Sequence, residues 1–441
     1  TRDYAGLFGC IGEEGKAVEI VIKDSYICGN NYVGAIAGKC LGLTTQYNCN
    51  YSVVKGNNYV GGIYGYNEDS TYGDKNYGEV SGVEYVGGVA GYATNTLNNN
   101  GNEGTVNGSE YVGGLAGYAK GDLIKSYNKG DVTGTLIVGG LAGYCGGDIG
   151  NRSIYDYCYN TGTISSNDVE TDEIKYVGGI CGIMEGSHMD YTYNEGAVSG
   201  EYAGGLCARS TTVDITYCYN AGSVYGSDCA GGLVGNYQNK TITSSHNAGS
   251  VTSGKAEYRG GIAGVITSAD ITGSYCVSSP VGTSDSESVV EAGIMTAEDF
   301  ASGKVTYHLN SSITEDKVIW KQNVDNDSVH SAWPKFHGSE IYYVAQCKAV
   351  SDIYTNIEHD GLCYGCGFDE PALSEDGYYE ISTVSELYWF ARYVNETDPG
   401  ANGRLINDIE VNPAIKCDSN GTALTDTTGF YIWRDEIGDY T

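Results

Sequence analysis

Residues 111–118 read Tyr-Val-Gly-Gly-Leu-Ala-Gly-Tyr, and versions of this octapeptide recur through the first part of the chain. The versions begin at Tyr4, Tyr32, Tyr59, Tyr85, Tyr111, Ile137, Tyr176, Tyr202, Cys229 and Tyr258. The spacings between these starts are 28, 27, 26, 26, 26, 39, 26, 27 and 29 residues. Self-similarity at a nearly fixed period is the sequence signature of a repeat architecture, in which each repeat packs on its neighbours.

A second recurring element, Asn-x-Gly-x-Val or a close relative, fixes the register between repeats. Its asparagines are Asn76, Asn102, Asn128, Asn160, Asn194, Asn220 and Asn247, and Asn50 begins a variant in which Ser52 replaces the glycine. Asparagine and glycine both tolerate the left-handed backbone that a corner needs. Stacked asparagines can also hydrogen-bond to one another through their side chains. We therefore expect an asparagine ladder at one corner of the repeat.

The residue types of the repeat favour strands over helices. Gly, Thr, Val, Tyr and Asn dominate it, and 26 extended residues suffice for a closed coil of short strands and corners. The sequence therefore predicts an all-β fold, a β-solenoid of about ten 26-residue coils over residues 1–276. Val112 and Leu115 are three residues apart, so a kink at Gly113 and Gly114 is needed to turn both inward with Val132.

These residues resemble the GLUG-motif repeats, named for Gly-Leu-(any)-Gly and found in long bacterial surface proteins and next to some secreted peptidases. Segments 114–117, 140–143 and 232–235 match the motif in register, and 261–264 matches it with Ile in place of Leu. Segment 205–208 departs from it, since it ends in alanine. The resemblance implies a β-solenoid stalk on a secreted or wall-attached protein, and hence an extracellular, cell-surface or cell-wall location.

The sequence predicts three further segments after the repeats. Residues 277–345 carry a short-helix signal and strand-like runs, and they resemble the small α+β module that caps such arrays. Residues 346–371 are read as a Cys-x-x-Cys knuckle or linker. Residues 372–441 are expected to start a following solenoid unit with a capping helix, because an amphipathic stripe follows Thr383. Since the first octapeptide begins at Tyr4, we expect the chain to be an internal segment of a longer protein.

The formal net charge is −32, from 56 acidic and 24 basic residues. Because phosphate groups are neutralised by clustered Lys and Arg, this balance argues against nucleic acid and anionic membrane surfaces as partners. The sequence contains no apolar run long enough to cross a bilayer as a helix, so we predict no membrane insertion in this segment. The expected partners are host or cell-surface glycans or proteins, or further copies of the chain.

The longest interval between octapeptides contains an acidic stretch with four carboxylates, Asp168, Glu170, Asp172 and Glu173. A loop of this kind can hold Ca²⁺, although it lacks the ligand-and-glycine spacing of an EF-hand loop. A calcium site and a solvated loop are the two interpretations.

A zinc site is the hypothesis for Cys363 and Cys366, a Cys-x-x-Cys pair with His359 and Cys347 upstream. This spacing occurs in zinc knuckles, and a disulfide or free thiols are the alternatives. The chain has 15 cysteines, and several of those in the repeats fall on strand positions where a small thiol serves as a core residue. Disulfides normally accompany secretion, whereas an anaerobic host would leave the thiols reduced.

No catalytic motif accompanies the repeats, since the sequence lacks His-Glu-x-x-His, Gly-x-Ser-x-Gly, phosphate-loop and dinucleotide-binding patterns. We therefore predict no cofactor beyond the two metal hypotheses, and no turnover. The predicted function is that of a non-catalytic segment of a long secreted or cell-surface bacterial protein, serving as stalk, adhesin or extracellular fibre. The alternatives are a polysaccharide-processing β-helix enzyme and a structural filament whose coils stack end to end between chains.

Overall fold

The structure, a computed structural model, describes residues 2–42, 44–146, 154–167, 169–186, 188–277, 281–285, 288, 290–313, 318–324, 331–344, 353–355 and 370–407. The chain divides into two units. The first comprises residues 1–301 and 308–319, and the second comprises residues 302–307 and 320–441.

The first unit is a solenoid built from three parallel β-sheets. Over the described residues, sheets 1, 2 and 3 contain 16, 11 and 20 strands respectively. Each coil pairs with the next at equivalent positions, so that Val112 lies opposite Val86 on one side and Val138 on the other. The predicted all-β solenoid is therefore confirmed.

The strands of each sheet are short, and corners separate them. Sheet 1 contains Tyr26–Cys28, Asn31–Gly34, Val53–Lys55, Asn58–Gly61, Val80–Ser81, Glu84–Gly87, Val106–Asn107, Val112–Gly113, Val132–Gly134, Ile137–Gly139, Ile164–Ser166, Tyr176–Gly178, Val198–Gly204, Val224–Gly231, Val251–Ser253 and Arg259–Gly260. Sheet 2 contains Phe8–Ile11, Ala37–Cys40, Tyr64–Asn67, Ala90–Ala93, Ala116–Ala119, Ala142–Gly146, Cys181–Glu185, Cys207–Thr211, Val234–Gln238, Ala263–Thr267 and Thr283–Ser284. Sheet 3 contains Lys16–Val18, Val21–Ile22, Thr44–Gln46, Cys49–Asn50, Thr71–Tyr72, Lys75–Asn76, Leu97–Asn98, Gly101–Asn102, Leu123–Ile124, Tyr127–Asn128, Ile154–Asp156, Tyr159–Asn160, His188–Asp190, Tyr193–Asn194, Asp214–Thr216, Tyr219–Asn220, Thr241–Thr243, His246–Asn247, Asp270–Val277 and Val290–Met295.

The interior of the solenoid holds two apolar columns. One contains Val112, Val132 and their equivalents from the other coils. The other contains Leu115, Leu123 and their equivalents. Val112, Leu115 and Val132 are fully buried, as the sequence predicted. Because burying one such side chain contributes roughly 2 kcal/mol, the stability of the solenoid is distributed over all of its coils.

An asparagine ladder lies against the second glycine of the octapeptides. Nδ2 of each asparagine donates to Oδ1 of the next at 2.7–2.8 Å, from Asn50 through Asn76, Asn102, Asn128, Asn160, Asn194 and Asn220 to Asn247. The chain bends at Gly114 and Leu115, between strands Val112–Gly113 and Ala116–Ala119. A Cβ at Gly114 would lie 2.5 Å from Asn128 Oδ1, so only glycine fits there. The predicted ladder and the predicted kink are both confirmed.

The stack of coils continues beyond the expected end at residue 276. Strand Thr283–Ser284 pairs with Ala263–Thr267, and Val290–Met295 pairs with Asp270–Val277. The eleven described strands of sheet 2 therefore slightly exceed the predicted count of about ten coils. Coils continue after the octapeptide period fails because parallel pairing uses backbone groups, which every residue type except proline supplies.

The described helices are short, and two of them, α1 and α3, begin at capping residues. They are a 3-10 turn (Ala256–Tyr258), α1 (Ala297–Ala301), α2 (Lys304–Ser311) and α3 (Val384–Glu396). Before α1, the backbone N–H of Asp299 donates to Thr296 Oγ1 at 3.0 Å, and the N–H of Thr296 donates to Asp299 Oδ2 at 3.0 Å. Thr383 and Glu386 form the same reciprocal capping box before α3.

The described strands of the second unit form two small sheets. Tyr342–Val344 pairs antiparallel with Ile353–Thr355. Tyr378–Ile381 pairs antiparallel with Ala372–Leu373 and parallel with Asn402–Leu405. Helix α3 therefore connects two parallel strands. The assignment of residues 372–441 to the start of a following solenoid stays a prediction, since residues 408–441 lie outside the described ranges.

Candidate functional site

Nine tyrosines form a continuous strip on the outside of the solenoid, which we call the tyrosine strip. One column stacks Tyr4, Tyr32, Tyr59, Tyr85 and Tyr111 with ring centroids 4.8–5.0 Å apart. The other stacks Tyr66, Tyr92, Tyr118 and Tyr144 at 4.8–5.2 Å. Rings of the two columns meet mainly edge to face at 5.6–6.2 Å. The first column comes from the first residue of the octapeptide and the second from its last residue, so the sequence carried a signal for both.

The tyrosine strip presents ring edges and hydroxyls to solvent. Each ring inside a column has a neighbouring ring on both faces, so a planar ligand or a sugar has no free face to stack on. Burial raises the pKa of Tyr118 to about 12, so this phenol stays neutral and keeps its proton. The strip can donate hydrogen bonds, and its main contribution is to join six successive coils.

A second column of polar side chains caps backbone amides inside the solenoid, and we call it the capping column. It was not predicted from the sequence. Its acceptors belong to different residue types, and each accepts a backbone N–H of the preceding coil at 2.7–3.4 Å. They are Asn48, Asp74, Asn100, Ser126, Cys158, Thr192, Ser245 and Ser274. The residue before the corner has left-handed backbone, as in Tyr47 (φ 57°) and Gly73 (φ 73°), so the next N–H leaves the strand ladder and needs a side-chain acceptor.

Asp74 is the carboxylate of this capping column and is fully buried. Its Oδ1 accepts the backbone N–H of Asn48 at 2.7 Å, and its Oδ2 accepts the hydroxyl of Tyr64 at 3.1 Å. Burial raises the pKa of Asp74 to about 7, against the hydrogen bonds that favour the ionised form. Because no solvent reaches the carboxyl, Asp74 is a structural group whose charge depends on pH near neutrality.

A cleft of about 730 Å³ opens on sheet 1 beneath the loop of residues 167–175. The loop contributes Glu170, Asp172 and Lys175, and the two following coils contribute Glu201 and Tyr225. The remaining lining residues are Ser166, Asn167, Thr171, Ser199, Gly200 and Ser227. Carboxylates and hydroxyls dominate this lining, so the cleft can accept and donate several hydrogen bonds to a polar ligand.

Lys175 holds the loop of the cleft in place. Its Nζ donates to the carbonyl oxygen of Asn167 at 3.1 Å and to that of Val169 at 2.6 Å. Its backbone N–H donates to Glu201 Oε2 at 3.2 Å. The lysine therefore links the two ends of the loop to each other and the loop to the next coil.

The predicted calcium residues are only partly brought together. Glu170 and Asp172 line the cleft, Glu173 lies in the same exposed loop, and Asp168 lies outside the described residues. In the described part of the chain, no group of three or more His, Cys, Asp or Glu side chains is placed to hold a metal ion. The calcium hypothesis stays a prediction.

The predicted zinc residues Cys347, His359, Cys363 and Cys366 all lie outside the described residues. The described cysteines form no disulfide with one another, and most of those in the coils are buried, as expected for core residues. Burial raises the pKa of Cys40 to about 11 and that of Cys276 to about 12. These thiols therefore stay protonated and are poor nucleophiles and poor metal ligands.

Comparisons with known proteins assign no family. No family model matches the chain, and no curated protein matches it. One solved structure, of a proposed immunoglobulin A1 protease from Bacteroides ovatus, is similar at 19% identity with a TM-score of 0.40, over 62% of this chain and 78% of that one. Among the described helices, none has the length and apolar character to cross a bilayer.

Proposed function

We propose that this chain is a non-catalytic segment of a long secreted or cell-surface bacterial protein and serves as a stalk, adhesin or extracellular fibre. The asparagine ladder carries the proposal, because it runs without a break from Asn50 to Asn247 and uses its buried amides for coil-to-coil bonds. A buried amide ladder fixes register and resists separation of the coils. This supports a mechanical or spacing role.

In the other columns, too, the polar and aromatic groups bond mainly to neighbouring coils. The side chains of the capping column accept hydrogen bonds from backbone amides, and the rings of the tyrosine strip stack on neighbouring rings. An active site needs polar groups that are held in place and still free to act on a substrate. The ladders, the capping column and the strip have few such groups to offer.

The test is to incubate the whole chain with a panel of plant and host polysaccharides and to measure both retention and release of reducing ends. We expect retention of at least one polysaccharide without release of products. Reducing ends released in proportion to protein concentration would contradict a non-catalytic role. Ordered end-to-end assemblies in electron micrographs would favour the filament alternative.

A polysaccharide-processing enzyme is the second candidate, and the cleft is the observation that favours it. Glu170, Asp172 and Glu201 supply carboxylates beside the aromatic ring of Tyr225. Glycoside hydrolysis uses two carboxylates, so Glu170→Gln or Glu201→Gln should abolish product release if this candidate is correct. Release that is insensitive to both substitutions would exclude the cleft as an active site.

A further inference from the structure

The loop over the cleft breaks the repeat on the outside of the solenoid. In the preceding coil, residues 135–136 connect strand Val132–Gly134 to Ile137–Gly139. The equivalent connection from Ile164–Ser166 to Tyr176–Gly178 uses residues 167–175. Residues of this connection line one cleft together with Glu201 and Tyr225, which lie one and two coils further along. The cleft is therefore a local addition to a surface that the other coils leave without a loop of this length.

The lining of the cleft offers more hydrogen-bond acceptors than donors. Across the described residues, the carboxylates of Glu170 and Asp172 make no hydrogen bond or ion pair with protein groups. The ammonium group of Lys175 already donates to two carbonyl oxygens of the loop. Tyr225 is 48% exposed, and its ring supplies the aromatic surface of the lining.

We propose that this cleft binds a neutral oligosaccharide. A sugar presents many hydroxyl donors, which match the unpaired carboxylates, and a carbohydrate C–H face can pack against an exposed aromatic ring such as Tyr225. A hydrogen bond to an ionised acceptor is stronger than one between neutral groups. The volume of about 730 Å³ lies within the usual range for small-molecule sites. The inference rests on the adhesin form of the proposed function and adds the place and the ligand class.

Charge argues against other ligand classes. The lining contains three carboxylates and one lysine, so it repels phosphate, sulfate and acidic sugars. A divalent cation would need converging oxygen ligands, and the described carboxylates of the loop do not form such a group. A hydroxyl-rich, uncharged ligand satisfies the acceptors without either conflict.

The test uses the whole chain and isothermal titration with short neutral oligosaccharides of hexoses and pentoses. Calcium chloride and a sulfated oligosaccharide are the comparison probes. We expect binding of at least one neutral oligosaccharide, with about tenfold weaker affinity in Tyr225→Ala and in Glu170→Gln. Tyr26→Ala is the matched control, since Tyr26 is an exposed tyrosine of the same sheet outside the cleft, and it should bind as the wild type does.

Several results would overturn the proposal. They are no binding of any neutral oligosaccharide, binding that both cleft substitutions leave unchanged, and binding of calcium or the sulfated probe alone. Retention of a polysaccharide by the whole chain together with unchanged affinity in the cleft variants would reject the cleft and leave the stalk or adhesin proposal standing. If the wild type neither retains a polysaccharide nor gives a titration signal, the adhesin form of the proposed function is rejected as well.

Discussion

The coil that begins at Tyr111 contains 26 residues, whereas the coil that begins at Ile137 contains 39 before the next octapeptide starts at Tyr176. Inside the solenoid the two coils are alike. Ile137 pairs with Tyr176 in the same register as its neighbours, and the bond from Asn128 to Asn160 is 2.7 Å, equal to that from Asn102 to Asn128.

Among the described residues, the difference between these coils lies in a connection between strands. Residues 167–175 leave the stack between strands Ile164–Ser166 and Tyr176–Gly178 and form the roof of the cleft. A longer surface loop costs little, since loop-closure entropy grows only slowly with length. A shift in register would turn every buried side chain outward. The interior is therefore the constrained part of a coil, and new sites are added at its connections.

The largest effect should come from Gly114→Val, which breaks the interior of a regular coil. A Cβ there would lie 2.1 Å from the carbonyl oxygen of Gly140 and 2.5 Å from Asn128 Oδ1. We expect a loss of more than about 4 kcal/mol in the free energy of unfolding, measured by urea denaturation. Gly12→Val is the matched control, because a Cβ at Gly12 meets nothing within 4 Å, and it should change stability by less than about 0.5 kcal/mol. Equal urea midpoints for the two variants would show that the corner is not constrained.

A feature of the fold is predictable from the sequence when it depends on a particular residue type at a fixed spacing. The solenoid, the ladder from Asn50 to Asn247 and the buried Val112 and Leu115 were predictable, because fixed residue types recur at a fixed period. The capping column was missed because any short polar side chain can accept its amide, so Asp74 and Cys158 occupy equivalent places.

The cleft was beyond sequence reasoning for a different reason. Its roof and Tyr225 lie two coils apart, and only the folded path of the loop brings them together. The sequence did identify the acidic loop, but a pattern of carboxylates does not state whether they converge on a cation or line an open cleft. The loop conformation decides between these arrangements, and the bonds of Lys175 fix that conformation.

A smaller effect is expected for Asp74→Asn, which sharpens the comparison inside a regular coil. The unfolded carboxyl ionises near 3.8, and burial raises its pKa in the folded chain to about 7. Between these values the folded state holds a proton that the unfolded state has released, so this contribution to stability is lost as pH rises from about 4 to 7. One pKa unit corresponds to about 1.4 kcal/mol, so the wild type should lose on the order of 4 kcal/mol relative to the variant between pH 4 and pH 8.

Urea denaturation across this pH range measures the Asp74 effect. Asn48 and Asn100 occupy the neighbouring places of the capping column, so Oδ1 of the asparagine in Asp74→Asn can accept the backbone N–H of Asn48. Its Nδ2 replaces the oxygen that accepts the Tyr64 hydroxyl, and the loss of that bond lowers stability equally at every pH. Asp131→Asn, at an exposed aspartate, is the control and should keep the pH dependence of the wild type. Parallel stability profiles for the wild type and Asp74→Asn would show that Asp74 does not titrate in the folded chain over this range.

The smallest effect on stability should come from Lys175→Met, which separates the outside of the inserted coil from its inside. The substitution removes the bonds from Nζ to the carbonyl oxygens of Asn167 and Val169 and keeps the backbone bond to Glu201. Since none of these groups belongs to the ladder or to the apolar columns, the urea midpoint should shift by less than about 0.5 kcal/mol. A glutamate-specific protease should nevertheless cleave the loop after Glu170 or Glu173 several-fold faster than in the wild type, because a loop without its internal bonds opens more often.

Lys240→Met, which removes a surface ion pair with Asp214 at 2.9 Å, is the matched control and should leave loop cleavage unchanged. If Lys175→Met destabilised the solenoid as much as Gly114→Val does, the loop would be part of the constrained interior, and the distinction between the two kinds of coil would fail.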